Sequence, residues 1–141
     1  MLFRSKAVTA IQGQMTSGAC TPAQWAALTA TVSPEANAEV LVMRDRFAER
    51  REAMLAGLRA AGVELVEPDG AFYVFPDFSA LCGEGKRFAD DLALASYLLE
   101  DKGLATVPGS AFGAPGHLRL SFACSREDIE AGTELLRQAL G

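Results

Sequence analysis

Hydrophobic positions change their period along the chain, and the changes mark its elements. Between residues 34 and 61 the apolar side chains Val40, Met43, Phe47, Met54, Leu58 and Ala61 are spaced by 3, 4, 7, 4 and 3 residues. Those intervals hold one side of a 3.6-residue helix. Ser33-Pro34-Glu35 opens it with a hydroxyl cap and a proline at a position where the missing N–H costs nothing. Gly62 closes it as a left-handed cap, with Val63 available for the hydrophobic contact that follows such an ending. Thr21-Pro22 gives the same start signal to an earlier helix that carries Trp25, Ala26, Leu28 and Ala30 and ends near Val32. Residues 5–19 mix hydroxyl side chains with two glycines, Gly13 and Gly18, and predict a helical turn or two followed by a loop.

Beyond Gly62 the period shortens. Residues 63–66 predict a short strand, Pro68-Asp69-Gly70 a turn, and 71–75 a dense apolar and aromatic strand closed by Pro76. A glycine-containing loop at 81–87 leads into a helix at 88–101, with Leu92, Ala95, Tyr97, Leu98 and Leu99 on or near its buried side and Gly103 ending it. A strand at 104–107, a loop at 108–116 too rich in glycine and proline for regular structure, and a strand at 118–123 alternating around Arg119 and Ser121 follow. Ser125 caps a last helix, with Asp128 where a capping box prefers Glu or Gln; Ile129, Leu135, Leu136 and Leu140 form its apolar face. From Ser33 the order is helix, strand, strand, helix, strand, strand, helix. That order predicts an α+β fold of two layers, a short sheet with helices on one face.

Composition narrows the function classes. The chain has 141 residues, half of them hydrophobic and 22% charged, which is a globular balance. Thirteen basic residues against 18 acidic, net −5, argue against nucleic acid or an anionic membrane as partner. No apolar run approaches the ~20 residues of a membrane span, and no secretory leader is read at the amino terminus, so a cytoplasmic chain is expected. Cys20, Cys82 and Cys124 are far apart and the only histidine is His117, so no metal site is expected. A Cys124–His117 nucleophile pair has nothing in the sequence to bring its members together.

Arg119 is the residue that stands out, because it lies between leucines on an expected strand, where an unpaired guanidinium is costly. Its planar fork suits bidentate capture of a carboxylate. The residues alone leave two readings open: an internal salt bridge to one of the 18 acidic side chains, or a ligand's carboxylate. The glycine-rich stretch 109–116 lacks the Lys and Ser/Thr ending of a phosphate-binding loop and reads as a shaped connector.

Four stretches occur in a telling order: Lys6-Ala7-Val8-Thr9-Ala10-Ile11-Gln12-Gly13-Gln14 with Thr21-Pro22-Ala23-Gln24-Trp25, then Gly70-Ala71-Phe72-Tyr73-Val74-Phe75-Pro76-Asp77, then Val107-Pro108-Gly109-Ser110-Ala111-Phe112-Gly113, then His117-Leu118-Arg119-Leu120-Ser121-Phe122-Ala123. Together they resemble the carboxy-terminal part of class I pyridoxal-phosphate aminotransferases, the aspartate aminotransferase family of fold type I. The resemblance implies that residues 1–32 are a remnant of the large cofactor-binding domain. It makes 33–141 the small domain, including a long interdomain helix at 33–61.

It further implies that Arg119 holds the substrate α-carboxylate, that Gly70 and Phe72 lie at the substrate entrance, and that Met15-Thr16-Ser17 lies near a dimer interface. The parent enzyme would use pyridoxal phosphate to pass an amino group between an amino acid and a 2-oxo acid, and would work as a homodimer. Ser5-Lys6 imitates the family's cofactor lysine, yet no glycine–x–arginine follows it. No catalytic or cofactor-binding residue is therefore assigned, the chain alone is expected not to hold the cofactor covalently, and it is expected to be inactive. The alternative is a non-catalytic module, either a truncated paralogue pairing with a full subunit or the effector-binding domain of a regulator.

Overall fold

A computed structural model describes residues 2–141, with side chains from Ser5 onward. The chain forms two compact units, Met1–Met43 and Arg44–Gly141.

The first unit holds α1 (Leu2–Thr16), α2 (Thr21–Val32) and the start of α3 (Pro34–Ala60). The expected turn-then-loop at 5–19 is corrected: α1 is a single helix of 15 residues. Gly13 costs a helix only about 1 kcal/mol relative to Ala. The hydroxyls of Thr9 and Thr16 donate to the carbonyls of Ser5 and Gln12 four residues back, and so do not compete for the helix's own donors. Ser17 and Gly18, both at positive φ, end it. At α2 the capping position belongs to Cys20, which makes no side-chain cap, and not to Thr21. Ser33 does cap α3, its Oγ accepting the N–H of Ala36 at 3.2 Å.

In the second unit α3 continues and is followed by β1 (Tyr73–Val74), α4 (Asp91–Lys102), β2 (Val107–Pro108), β3 (Leu118–Ser121) and α5 (Arg126–Leu140). The sheet is antiparallel in the order β1-β3-β2, with Tyr73 opposite Ser121, Val74 opposite Leu120 and Val107 opposite Arg119. Leu118 and Leu120 of β3 point into a core with Val74, Phe122, Leu55 and Leu58 of α3, Leu94 and Leu98 of α4, and Ile129 and Leu136 of α5. Six leucines there have no exposed surface, each worth about 1.5–3 kcal/mol of burial, so this unit carries its own core.

Gly62 takes φ +74 and terminates α3, with the N–H of Val63 donating to Leu58 O at 3.1 Å. The strand expected at 63–66 does not form. A single bridge joins Glu64 to Asp77, and Val66 is 87% exposed, so the pairing extends no further along the segment. The strand expected at 71–75 shrinks to two residues, because Ala71 adopts φ +59 and Pro76 has no N–H to give. The strand expected at 104–107 starts only at Val107, since the N–H of Leu104 is spent on Leu98 O at the end of α4. Helix α4 starts at Asp91, three residues later than expected: Asp90 caps it by accepting the N–H of Ala93 at 2.8 Å. Phe88 instead pairs with the chain at Leu81 and Gly83. Leu92 and Leu99 point to solvent, while Ala95 and Leu98 are buried as expected and Leu94 joins them in the core.

Candidate functional site

The inward residues of β3 leave its other face to Arg119 and Ser121, and the register sets Tyr73 and Val107 beside them. The half-buried Arg119 guanidinium carbon lies 4.4 Å from the ring centroid of Tyr73 and 4.6 Å from that of Phe112. Phe75 extends the aromatic surface: it meets Phe112 edge-on at 6.0 Å and stacks on His117 at 5.8 Å.

Rings hold a guanidinium by its faces and accept none of its N–H bonds in the ordinary sense. Among the described residues Arg119 makes no ion pair and no side-chain hydrogen bond. The salt-bridge reading of Arg119 is therefore set aside. The residue offers a charged fork of N–H donors with no side-chain or backbone acceptor among the described residues.

The loop that brings Phe112 to this place is tightly shaped. It begins with one 3-10 turn, Gly109–Phe112. A Cβ on Gly109 would sit 2.7 Å from the carbonyl oxygen of His117, so only glycine fits that approach. The loop is tied down from outside by Asp91, the first residue of α4 and only 2% exposed, which accepts the N–H of Ser110 at 2.7 Å. Burial opposes the charge on Asp91, but hydrogen bonds from Ser110, from Gly116 and from its own N–H outweigh it and hold the carboxyl below the usual aspartate range.

Gly70 and Phe72 line a different feature. They border an open cleft of about 490 Å³ with Phe47, Phe122, Arg44 and Arg51. The link to Arg119 runs through aromatic contact, since the Phe72 ring lies 4.4 Å from that of Tyr73. Cys124 and His117 are not brought together: the Cys124 thiol faces Ser121 O at 3.9 Å and the His117 ring lies on Phe75. Burial pushes the thiols of Cys82 and Cys124 up, which keeps them protonated. Among the described residues no group of His, Cys, Asp and Glu could hold a metal ion, and no helix is long and apolar enough to cross a membrane.

Sequence reasoning singled out Arg119 and missed its ring partners. The signal for Tyr73 was present in the alternation of Tyr73-Val74-Phe75 against Arg119-Leu120-Ser121. Phe112 and Asp91 carried no such signal, since neither belongs to a periodic pattern that contains Arg119.

The second unit is thus an α+β domain that carries a ring-held arginine, with no ion pair among the described residues, on the outer face of its three-stranded sheet. The chain belongs to the aminotransferase class I and II family, whose profile matches residues 5–136. It is 41% identical over 137 residues to a probable aspartate/prephenate aminotransferase of Aquifex aeolicus, covering 96% of this chain and 34% of that protein. It is 43% identical over 139 residues to an aspartate aminotransferase of Streptomyces avermitilis, with the same coverage of 96% and 34%. Among solved structures it superimposes on an aspartate aminotransferase from Thermus thermophilus with maleate at TM-score 0.83 and 39% identity, covering 94% of this chain and 33% of that one. The chain thus spans about a third of the length of the relatives it matches.

The family uses pyridoxal phosphate, and within the second unit both lysines already have neighbours of their own. Lys86 Nζ is engaged with Ser79 O at 2.6 Å, Lys102 lies over the Tyr97 ring, and Lys6 is on α1 in the other compact unit.

Proposed function

We propose that this chain is the carboxy-terminal portion of an aspartate-type aminotransferase and that Arg119 is its receptor for the substrate α-carboxylate. The carrying observation is the guanidinium of Arg119, fixed by Tyr73 and Phe112 with its donors unspent. A carboxylate arriving in the guanidinium plane takes two parallel N–H bonds, which set its orientation as well as its affinity. The maleate named with the Thermus thermophilus structure, a dicarboxylate, supports that ligand class. In this reading residues 1–32 close the large cofactor-binding domain, residues 33–141 are the small domain with the interdomain helix at 33–61, and Gly70 and Phe72 border the substrate entrance. The amino-group transfer belongs to residues outside the chain, the parent is a cytoplasmic homodimer, and the chain alone is inactive.

The test is a titration of the chain with a 2-oxo dicarboxylate, followed through the Arg119 side-chain Nε–H resonance. A saturable shift of that resonance is expected, and it is lost in Arg119→Ala. Binding that persists in Arg119→Ala overturns the assignment. Incubation with pyridoxal phosphate and borohydride is expected to label Lys6, Lys86 and Lys102 weakly and without selectivity. Saturable labelling at Lys6 alone, or cofactor-dependent turnover, overturns the inactive reading.

A further inference from the structure

The unpaired fork of Arg119 depends on Phe112, and Phe112 sits on a loop with no regular structure beyond one 3-10 turn. The side-chain tie on that loop is a buried charge. Asp91 is 2% exposed and opens α4, whose other inward residues, Leu94, Ala95 and Leu98, are packed in the core. Its Oδ2 accepts the N–H of Ser110 at 2.7 Å, near the start of the loop, and the carboxylate also feels the backbone of Gly116 at the end of the loop. The carboxylate thus ties the start of the segment 110–116, two residues before Phe112. Inside the loop, Gly113 N–H donates to Ser110 O at 3.1 Å and Ala114 N–H to Gly109 O at 3.0 Å. The loop is braced from within, its ends are held by Gly109 N–H donating to His117 O and Phe78 N–H donating to Gly116 O, each at 2.8 Å, and Asp91 adds the tie nearest Phe112.

A buried carboxylate is costly unless its hydrogen bonds are made, and an apolar residue could fill the same space more cheaply. We infer that Asp91 is a positioning residue for carboxylate recognition: it fixes the 109–116 loop so that the Phe112 ring stays on the Arg119 guanidinium. The inference rests on the carboxylate role of Arg119. Asp91 itself touches neither Arg119 nor its ligand; it acts through Ser110, Gly116 and Phe112.

The experiment compares the wild-type chain with Asp91→Asn, Asp91→Glu, Phe112→Leu and the Asp91→Asn/Phe112→Leu double variant. Three readouts are taken: amide exchange at Ser110 and Gly116, the Arg119 Nε–H shift, and the dissociation constant for a 2-oxo dicarboxylate. In Asp91→Asn, exchange at Ser110 and Gly116 is expected to rise about tenfold or more, as for a lost hydrogen bond to a charged group. The Arg119 resonance should lose its Phe112 ring-current shift, and affinity should fall severalfold while exchange at Leu94 and Leu98 is unchanged. Asp91→Glu should restore much of the signal. Phe112→Leu should reproduce the affinity loss, and adding Asp91→Asn to it should cost nothing more.

Faster loop exchange with an unmoved Arg119 resonance and unchanged affinity overturns the inference, since Asp91 would then be a tether only. Loss of the core fold in Asp91→Asn overturns it as well, by making Asp91 a residue of the fold. If the wild type binds no carboxylate, the reading of Arg119 fails on its own. The Arg119 resonance in Asp91→Asn then still decides whether Asp91 places the ring.

Discussion

Tyr73 and Arg119 face each other across β1 and β3, with the guanidinium carbon 4.4 Å from the ring centroid. The register that pairs Tyr73 with Ser121 also sets Val74 against Leu120 in the core. The same two-residue pairing that closes the core therefore places the ring beneath the charge.

Shortening that ring tests the arrangement. Tyr73→Leu is expected to weaken dicarboxylate binding by roughly 0.5–2 kcal/mol, the range of a partly desolvated cation–π contact. Arg119→Lys is expected to lose about tenfold or more, because a lysine is a point charge without the bidentate fork. Calorimetric titration of the two variants checks both, and equal affinity in Arg119→Lys would refute the bidentate geometry.

Gly57 and Thr133 mark the close approach of α3 and α5. A Cβ at Gly57 would stand 2.6 Å from the Thr133 Cβ, and Thr133 is held in place by donating to Ile129 O at 2.9 Å. Elsewhere in a helix Gly→Ala gains about 1 kcal/mol. Here overpacking is expected to reverse the sign, and Gly57→Ala should lose about 1–3 kcal/mol in urea unfolding.

Acid should loosen the loop clamp. The native pKa of Asp91 lies below its ordinary value of 3.8, so the unfolded chain binds the proton more readily. Its stabilising contribution is complete above the ordinary value and is lost as pH falls through the lower native one. The carboxyls of Asp77, bonded by Ser79, and Glu134, lowered to about 2 by Arg137, titrate in the same acid range. The expected result is a fall in urea midpoint below about pH 4 that is shallower in Asp91→Asn than in the wild type. Identical slopes would remove Asp91 from the acid response.

The first unit predicts self-association. Ile11, Met15, Trp25 and Leu28 are 50–77% exposed, with no buried residue in α2 to anchor that helix. Apolar surface on this scale tends to find a partner. Light scattering at high concentration is expected to report dimers or larger species, and Ile11→Lys with Trp25→Lys should shift them toward monomer. A clean wild-type monomer would contradict this.

The helices of the second unit were legible because their boundaries rest on local chemistry: Gly62 at positive φ, Gly103 at the end of α4, and Ser125 accepting the N–H of Asp128. The strands were legible in place but not in length. Whether 63–66 pairs depends on a neighbour, and the segment beside it supplies one bridge only. The end of β1 depends on the backbone of Ala71, a non-glycine residue at φ +59 that no side-chain pattern announces. Arg119 was visible as a charge among leucines. Its partners were not, because Phe112 reaches it by way of a loop whose course is set by Asp91, 19 residues from Ser110.

Most arginines in proteins already hold a carboxylate, and a ligand that wants them must first evict it. Arg119 is steadied by rings, so the side chain's rotamer freedom, about 2 kcal/mol for a free arginine, is largely given up before any ligand arrives. Capture is then an addition and not an ion exchange: no resident counter-ion leaves, and no acidic side chain is stranded when the ligand departs. A ligand that leaves such an arginine meets no acidic side chain paired to it among the described residues, so the empty guanidinium stays as it was.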